Sequence, residues 1–255
     1  MLRTKIVPIA MAAVIAVGST LGVAYAANSN RGGGNVGAQV TTAKLAQKTS
    51  PTPSKEASRY ANLANAASIN EDLIGFSLKG NADKVAEKVA AMKEALPTLR
   101  SLLNASSFET LRRQLTEMEQ ASAKSDVFGT ALAAVEAYRV IENAMGSAGR
   151  PSPIEVAMLD YTGFKLSILA TTPDTDWPKI AATAKDSDSS WSVLDKSVKQ
   201  TSIRNLVNTI QDGLRGAVER KDIHGVKFAA KMQLEVVDVL EQYFMSGPES
   251  GGIVH

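Results

Sequence analysis

Cysteine is absent from this 255-residue chain, and histidine nearly so: His224 and the terminal His255 are its only two. Without cysteine there is no disulfide framework, thiolate metal site, c-type haem attachment or cysteine nucleophile. No Glu-x-x-His or His-x-x-x-His pair occurs, so a zinc, copper or di-iron centre lacks its usual ligands. Haem held by a methionine and His224 would need matched inward placement of the two ligands. No metal and no cofactor are therefore expected. Aromatic residues are few, at 5%. Charge of either sign is also without excess. The 28 Lys and Arg exceed the 26 Asp and Glu by two, and Arg3 and Lys5 account for both, leaving 26 against 26 beyond residue 26. A neutral remainder has no basic excess with which to hold nucleic acid or an anionic membrane surface. No nucleophile elbow, phosphate-binding glycine loop or distinguished pair of acids is present, and the chain is read as not an enzyme.

What is present begins with an N-terminus of three parts. Arg3 and Lys5 precede an apolar stretch from Ile6 to about Val23, and Ala24-Tyr25-Ala26 supplies small residues suited to a signal peptidase. Residues 1–26 therefore read as a cleavable signal peptide, with cleavage after Ala26 and a periplasmic destination. Retained, the stretch is instead close in length to a short membrane anchor, with Pro8, Gly18, Ser19 and Thr20 weakening it as a span. Residues 27–54 carry Arg31-Gly32-Gly33-Gly34 and Ser50-Pro51-Thr52-Pro53-Ser54, a composition that reads as a disordered leader. A flexible tail is expected over 246–255.

Between these ends, helical spacing dominates. The first helix is expected from about Lys55 to Lys79, stopped by Gly80-Asn81. Val85, Val89, Met92, Leu96, Leu99 and Leu103 alternate steps of four and three, one apolar seam on a second helix that Pro97 is expected to kink. Ser106-x-x-Glu109 reads as the capping box of a third helix, and Asp126 as the N-cap of a fourth. Ser152-Pro153-Ile154-Glu155 opens a fifth on the same pattern, with Tyr161, Phe164 and Ile168 on its inner side. A sixth begins near Trp177-Pro178 and is expected to be interrupted at Asp186-Ser187-Asp188-Ser189-Ser190. That run imitates the start of a calcium loop, but Trp191 stands where the turn glycine belongs and Ser197 where the bidentate acid belongs. Ile203, Val207, Ile210, Leu214 and Ala217 mark a seventh helix, and an eighth runs from Asp222 to about Met245. On this last helix, Glu235, Asp238 and Glu241 are read as part of a solvated face.

The strongest organising signal is an internal duplication. Asp-x-x-Gly-Phe-x-Leu occurs at Asp72, Gly75, Phe76 and Leu78, and again at Asp160, Gly163, Phe164 and Leu166, 88 residues on. Ser-Asp-Val-Phe-Gly around Asp126 and Gly129 is matched 96 residues later by Lys-Asp-Ile-His-Gly around Asp222 and Gly225. The expectation is an all-α protein of tandem duplicated antiparallel four-helix units, about eight helices, with repeats at 55–147 and 152–245.

The duplicated Asp-x-x-Gly-Phe element has two readings. In the favoured one, Gly75 and Gly163 admit a neighbouring helix and Phe76 and Phe164 fill the space beside it. In the other, Asp72, Phe76, Asp160 and Phe164 line a ligand site between the repeats, with Trp191 as a stacking wall. The functional expectation is a non-enzymatic exported binding or accessory protein working through protein–protein contacts. Its alternative is a small-ligand or metal-ion binding protein with a site between the two repeats.

Overall fold

A computed structural model describes residues 54–146 and 150–246. The expected signal peptide, almost all of the leader and nearly all of the tail lie outside these residues. Among the described residues the chain is all-α: α1 (Lys55–Leu78), α2 (Ala82–Leu102), α3 (Ala105–Ala123), α4 (Val127–Met145), α5 (Ile154–Leu169), α6 (Trp177–Leu194), α7 (Thr201–Glu219) and α8 (Ile223–Ser246). A 3-10 turn, Asp195–Ser197, follows α6. Helix α1 packs on α2 and α4, and α3 on α2 and α4; α5 packs on α6 and α8, and α7 on α6 and α8. Helices α4 and α5 join the two sets.

The short connections explain why the helices fold back. After α1, Gly80 takes a positive φ of 66°, Asn81 N–H donates to the Phe76 carbonyl at 3.0 Å, and Asn81 then caps α2 by accepting from Lys84 N–H. One left-handed residue thus closes one helix and its neighbour opens the next. The α3–α4 turn repeats the device with Ser125 at φ 55° and Asp126, whose N–H reaches the Ala121 carbonyl at 2.9 Å. The α7–α8 turn repeats it again with Lys221 at φ 52° and Asp222, whose N–H reaches the Ala217 carbonyl at 2.8 Å. In both, the aspartate accepts from the N–H of a glycine three residues on, Gly129 or Gly225. A Cβ on Gly225 would lie 2.8 Å from both the Ala217 Cβ and the Asp222 carboxylate. The second repeated signature is therefore a turn that has room only for glycine.

Local expectations needed correction where several polar residues compete. Asn104, not Ser106, caps α3, accepting from Ser107 N–H at 2.8 Å. At α5 the cap position falls on Pro153, which offers no side-chain bond, and Ser152 is buried. Pro97 lies inside α2 without ending it. Helix α6 runs unbroken through Asp186–Ser190: Ser189 and Ser190 hydroxyls bond back to the Lys185 and Asp186 carbonyls, and Asp188 pairs with Arg215 at 3.0 Å.

Ser187 has a further partner set. It donates to Gln233 at 2.9 Å and accepts from the Gln211 amide at 3.1 Å, while Gln233 donates to Thr162 at 2.8 Å and to the Leu159 carbonyl at 2.6 Å. Each of α5, α6, α7 and α8 thus contributes one buried polar side chain to a connected layer. It separates an apolar cluster around Val156, Leu194, Val207 and Leu240 from another around Leu166, Ile180, Leu214 and Ala230. Because every member is bonded, the layer fixes how the four helices align without leaving a desolvated group unpaired. The α1–α4 core is a single cluster that also takes in Tyr161 and Ile168 of α5.

The repeated glycines of the first signature differ. A Cβ at Gly163 would come within 2.8 Å of Leu234 on α8, whereas at Gly75 it would meet nothing. Gly75→Ala is expected to raise the urea midpoint, worth up to about 1 kcal/mol from helix propensity. Gly225→Ala is expected to lower it, at a cost of about 1 to 3 kcal/mol from overpacking. Equilibrium unfolding of the two variants beside the parent chain checks both signs.

Candidate functional site

Helix α5 is apolar on most of its circumference, burying Val156, Ala157, Leu159, Tyr161, Thr162, Leu166, Ile168 and Leu169, and this draws α4, α6 and α8 around it. Asp160 sits in the middle of that helix. Its Oδ2 accepts a hydrogen bond from the Tyr138 hydroxyl of α4 at 3.0 Å. The Tyr138 ring meets Phe164 edge-on, with centroids 6.1 Å apart. Two of the sequence candidates, Asp160 and Phe164, therefore converge on one α4 tyrosine.

The other candidates are placed differently. Asp72 faces α2, paired with Lys88 at 2.8 Å and 46% exposed. Phe76 packs partly buried on the α1–α4 core. Trp191 belongs to the α5–α8 core, its indole N–H donating to Asn208 at 2.7 Å. The first signature thus supplies an ion pair at Asp72 and a half-buried acceptor at Asp160.

The residue beside Asp72 matters more at this junction. Glu71 of α1 lies within electrostatic reach of Glu142 of α4, Glu241 and Asp238 of α8, and Asp160 of α5. Burial pushes its carboxyl up to about 8, and the neighbouring acids Glu142 and Glu241 add to the shift. Burial, then Glu71, hold the Asp160 carboxyl well above the ordinary range, against the pull of the Tyr138 hydrogen bond. Burial raises Glu241 to about 7, with Asp238 and Glu142 adding to it and Arg150 opposing. Glu142, whose side chain is 5% exposed, is raised by burial although Arg150 is bonded to it directly. These acids come from four helices, and the guanidinium among them, Arg150, is committed to Glu142.

Glu241 departs from the solvated-face reading of α8: it is only partly exposed and turns toward this cluster. Sequence patterning held a signal for Glu142, four residues after Tyr138 and between Ile141 and Met145 on the buried stripe. Glu71 carries no such signal, because its acidic neighbours are supplied by distant segments.

Less than two turns back along α4 from Glu142, charge is balanced instead. Glu136 accepts from Lys165 at 2.7 Å and from the Tyr161 hydroxyl at 2.9 Å, and pairs with Arg139 at 2.9 Å. Burial works to raise its carboxyl, but Lys165 and Arg139 outweigh it and the net direction is down. Glu136 also forms part of a second feature, an open groove of about 430 Å³ along α3 and α4. Gln114, Glu117, Gln120 and Lys124 line it from the α3 side, and Leu132 and Ala133 from α4.

No family model matches the chain, and neither a curated protein nor a solved structure matches it.

The raised carboxyl of Glu71 has a consequence for stability. In the unfolded chain this group loses its proton near 4.5, and in the folded protein near 8. Between those values the folded state holds more protons, so the group's contribution to stability is complete below about pH 4.5 and is lost as pH rises through about 8. Glu71→Gln cannot ionise. Its stability relative to the parent chain is expected to increase from about pH 5 to about pH 8 by more than about 1.4 kcal/mol, the equivalent of one pKa unit. Urea unfolding at the two pH values checks this, and a constant difference would show that Glu71 titrates alike in both states.

Proposed function

We propose that this protein is an exported, non-enzymatic helical-bundle binding or accessory protein of the periplasm that acts through protein–protein contacts. The observation that carries the reading is the open groove along α3 and α4. Its rim residues Glu117 and Gln120 are exposed, and its floor is formed by Leu132, Ala133 and the buried Gln114. Such a surface, set on two packed helices, offers a polar rim around a small apolar base to a segment of another polypeptide. Export rests on the three-part N-terminus read from sequence. Among the described residues no helix is long and apolar enough to cross a membrane.

The helices are read as two copies of one antiparallel four-helix unit. Support comes from the matching α3–α4 and α7–α8 turns, in which residues 96 apart share the positive φ, the capping aspartate and the close-packed glycine. In this reading the copies differ most in what each buries: one apolar cluster in the first and two, divided by a polar layer, in the second.

A second reading, a small ligand held between the two units, is favoured by the convergence of Glu71, Asp160 and Glu241 from three helices. Among the described residues no group of three His, Asp or Glu side chains is arranged to hold a metal ion, so this reading points to an organic cation.

A photo-crosslinking residue at Gln120, introduced into the full chain in its own host, is expected to capture one discrete polypeptide. The same residue at exposed Thr209 on α7 is expected to capture none, and Glu117→Arg is expected to reduce capture at Gln120 by about tenfold, near 1.4 kcal/mol. Equal capture at both positions, or none at either, sinks the groove reading. A rise in melting temperature with excess diamine in the parent chain, lost in Asp160→Asn, supports the second reading instead.

A further inference from the structure

We propose that the groove along α3 and α4 receives an extended segment of a partner polypeptide and holds it by its main chain, through the carboxamide of Gln114. This rests on the groove reading above and adds to it the conformation and bonding of the occupant. Gln114 is 7% exposed, yet among the described residues its amide neither donates nor accepts a hydrogen bond. The other buried glutamines, Gln211 and Gln233, are both bonded. Asn70 Oδ1 and Ser77 Oγ are unbonded too but fully enclosed, whereas Gln114 borders the open groove. Packing does not call for an amide at this place. Ile210 stands as far before Asp222 as Gln114 does before Asp126, and it is buried to the same 7%.

A carboxamide that loses water without gaining partners is destabilising, so whatever covers the groove floor must bring Gln114 both a donor and an acceptor. A residue of extended chain presents its own N–H and C=O on the same side, which matches the Oε1 and Nε2 of one carboxamide. A helix already uses those groups internally. The rest of the lining agrees. A docked helix anchors through a stripe of large apolar side chains in an apolar groove, but the base here is Ala121, Gly129 and Ala133, with Leu132 as the large apolar side chain. Small residues let a main chain come close to the floor. From Gln114 to Lys124, α3 rises about 15 Å, the span of about four extended residues.

Charge narrows the segment further. On the α4 side, Glu136 is neutralised by Lys165 and Arg139, and Asp126 is committed to its cap on Gly129. Exposed Glu117, one turn along α3 from Gln114, is held only by Arg113 at 3.9 Å. It is therefore the acid left for an occupant. The segment that fits is a run of small residues, bonded to Gln114 by its main chain, beside a lysine or arginine that meets Glu117.

The test uses acetyl-Lys-Ala-Ala-Ala-amide as probe, beside the same peptide N-methylated at its three alanines, each titrated into the full chain and followed by NMR. Occupancy of the groove is read at the backbone amides of Gly129 and Ala133, and bonding at the side-chain amide of Gln114. The first peptide is expected to shift all three signals saturably. N-methylation is expected to weaken binding about tenfold, and so is Gln114→Met, which fills the same space without a donor or acceptor and is expected to melt no lower than the parent. Affinities within about twofold of one another overturn the inference and leave the groove reading in place. Unmoved Gly129 and Ala133 signals overturn it as well, and capture at Gln120 then shows whether the groove takes a folded surface instead. Should Gln114→Met fail to fold, the two peptides compared on the parent chain decide the matter alone.

Discussion

Helix α5 must be covered on nearly every side, and most of the molecule's organisation follows from that constraint. Its buried residues face α4, α6 and α8 at once, so, like α4, it cannot lie at an edge. Covering it brings an α4 rich in alanine close, which places Tyr138 over Asp160 and Glu136 over Tyr161 and Lys165. The two polar ties across one helix pair are electrostatically opposite. One is neutralised by basic side chains, while the other gathers acids whose protons are retained by burial.

Backbone and core are constrained to different degrees along the chain. The turns before α4 and α8 share a left-handed residue, a capping aspartate and a close-packed glycine, and each element depends on the others. A side chain on the glycine would strike the cap or the preceding helix, so the turn tolerates little change. Core positions have more freedom. The layer of Thr162, Ser187, Gln211 and Gln233 lies in a body whose other layers are apolar, and it is acceptable because every group in it is bonded. Among α1–α4, buried Asn70 is less completely bonded: its amide nitrogen reaches the Ala66 carbonyl while its oxygen finds no partner.

Much of this fold was legible from spacing alone, since apolar stripes such as Ile203, Val207, Ile210, Leu214 and Ala217 admit no reading but a helix with one buried side. The Asp126 cap was legible because the apolar run of its helix begins directly after it. Asn104 was not, because it competes with Ser106 and Ser107 for one role and only the backbone path decides. The serine run of α6 was misread for a different reason. Serine and aspartate favour breaks locally, but Gln211, Gln233 and Arg215 on other helices satisfy them within a continuous helix. The candidate site was half legible. Asp160 and Phe164 lie where α4 meets α5, whereas Glu71 and Glu241 gain their character only from neighbours in distant parts of the chain.

The account turns on whether carboxyl groups at the junction of α1, α4, α5 and α8 stay protonated at neutral pH. Carbon-13 NMR of the side-chain carboxyl of Glu71, assigned by comparison with Glu71→Gln and followed through a pH titration, measures this directly. A midpoint near 8 is the predicted result. A midpoint near the ordinary value of 4.5 would show that the group is solvated and ionised in the native protein, and would contradict the account.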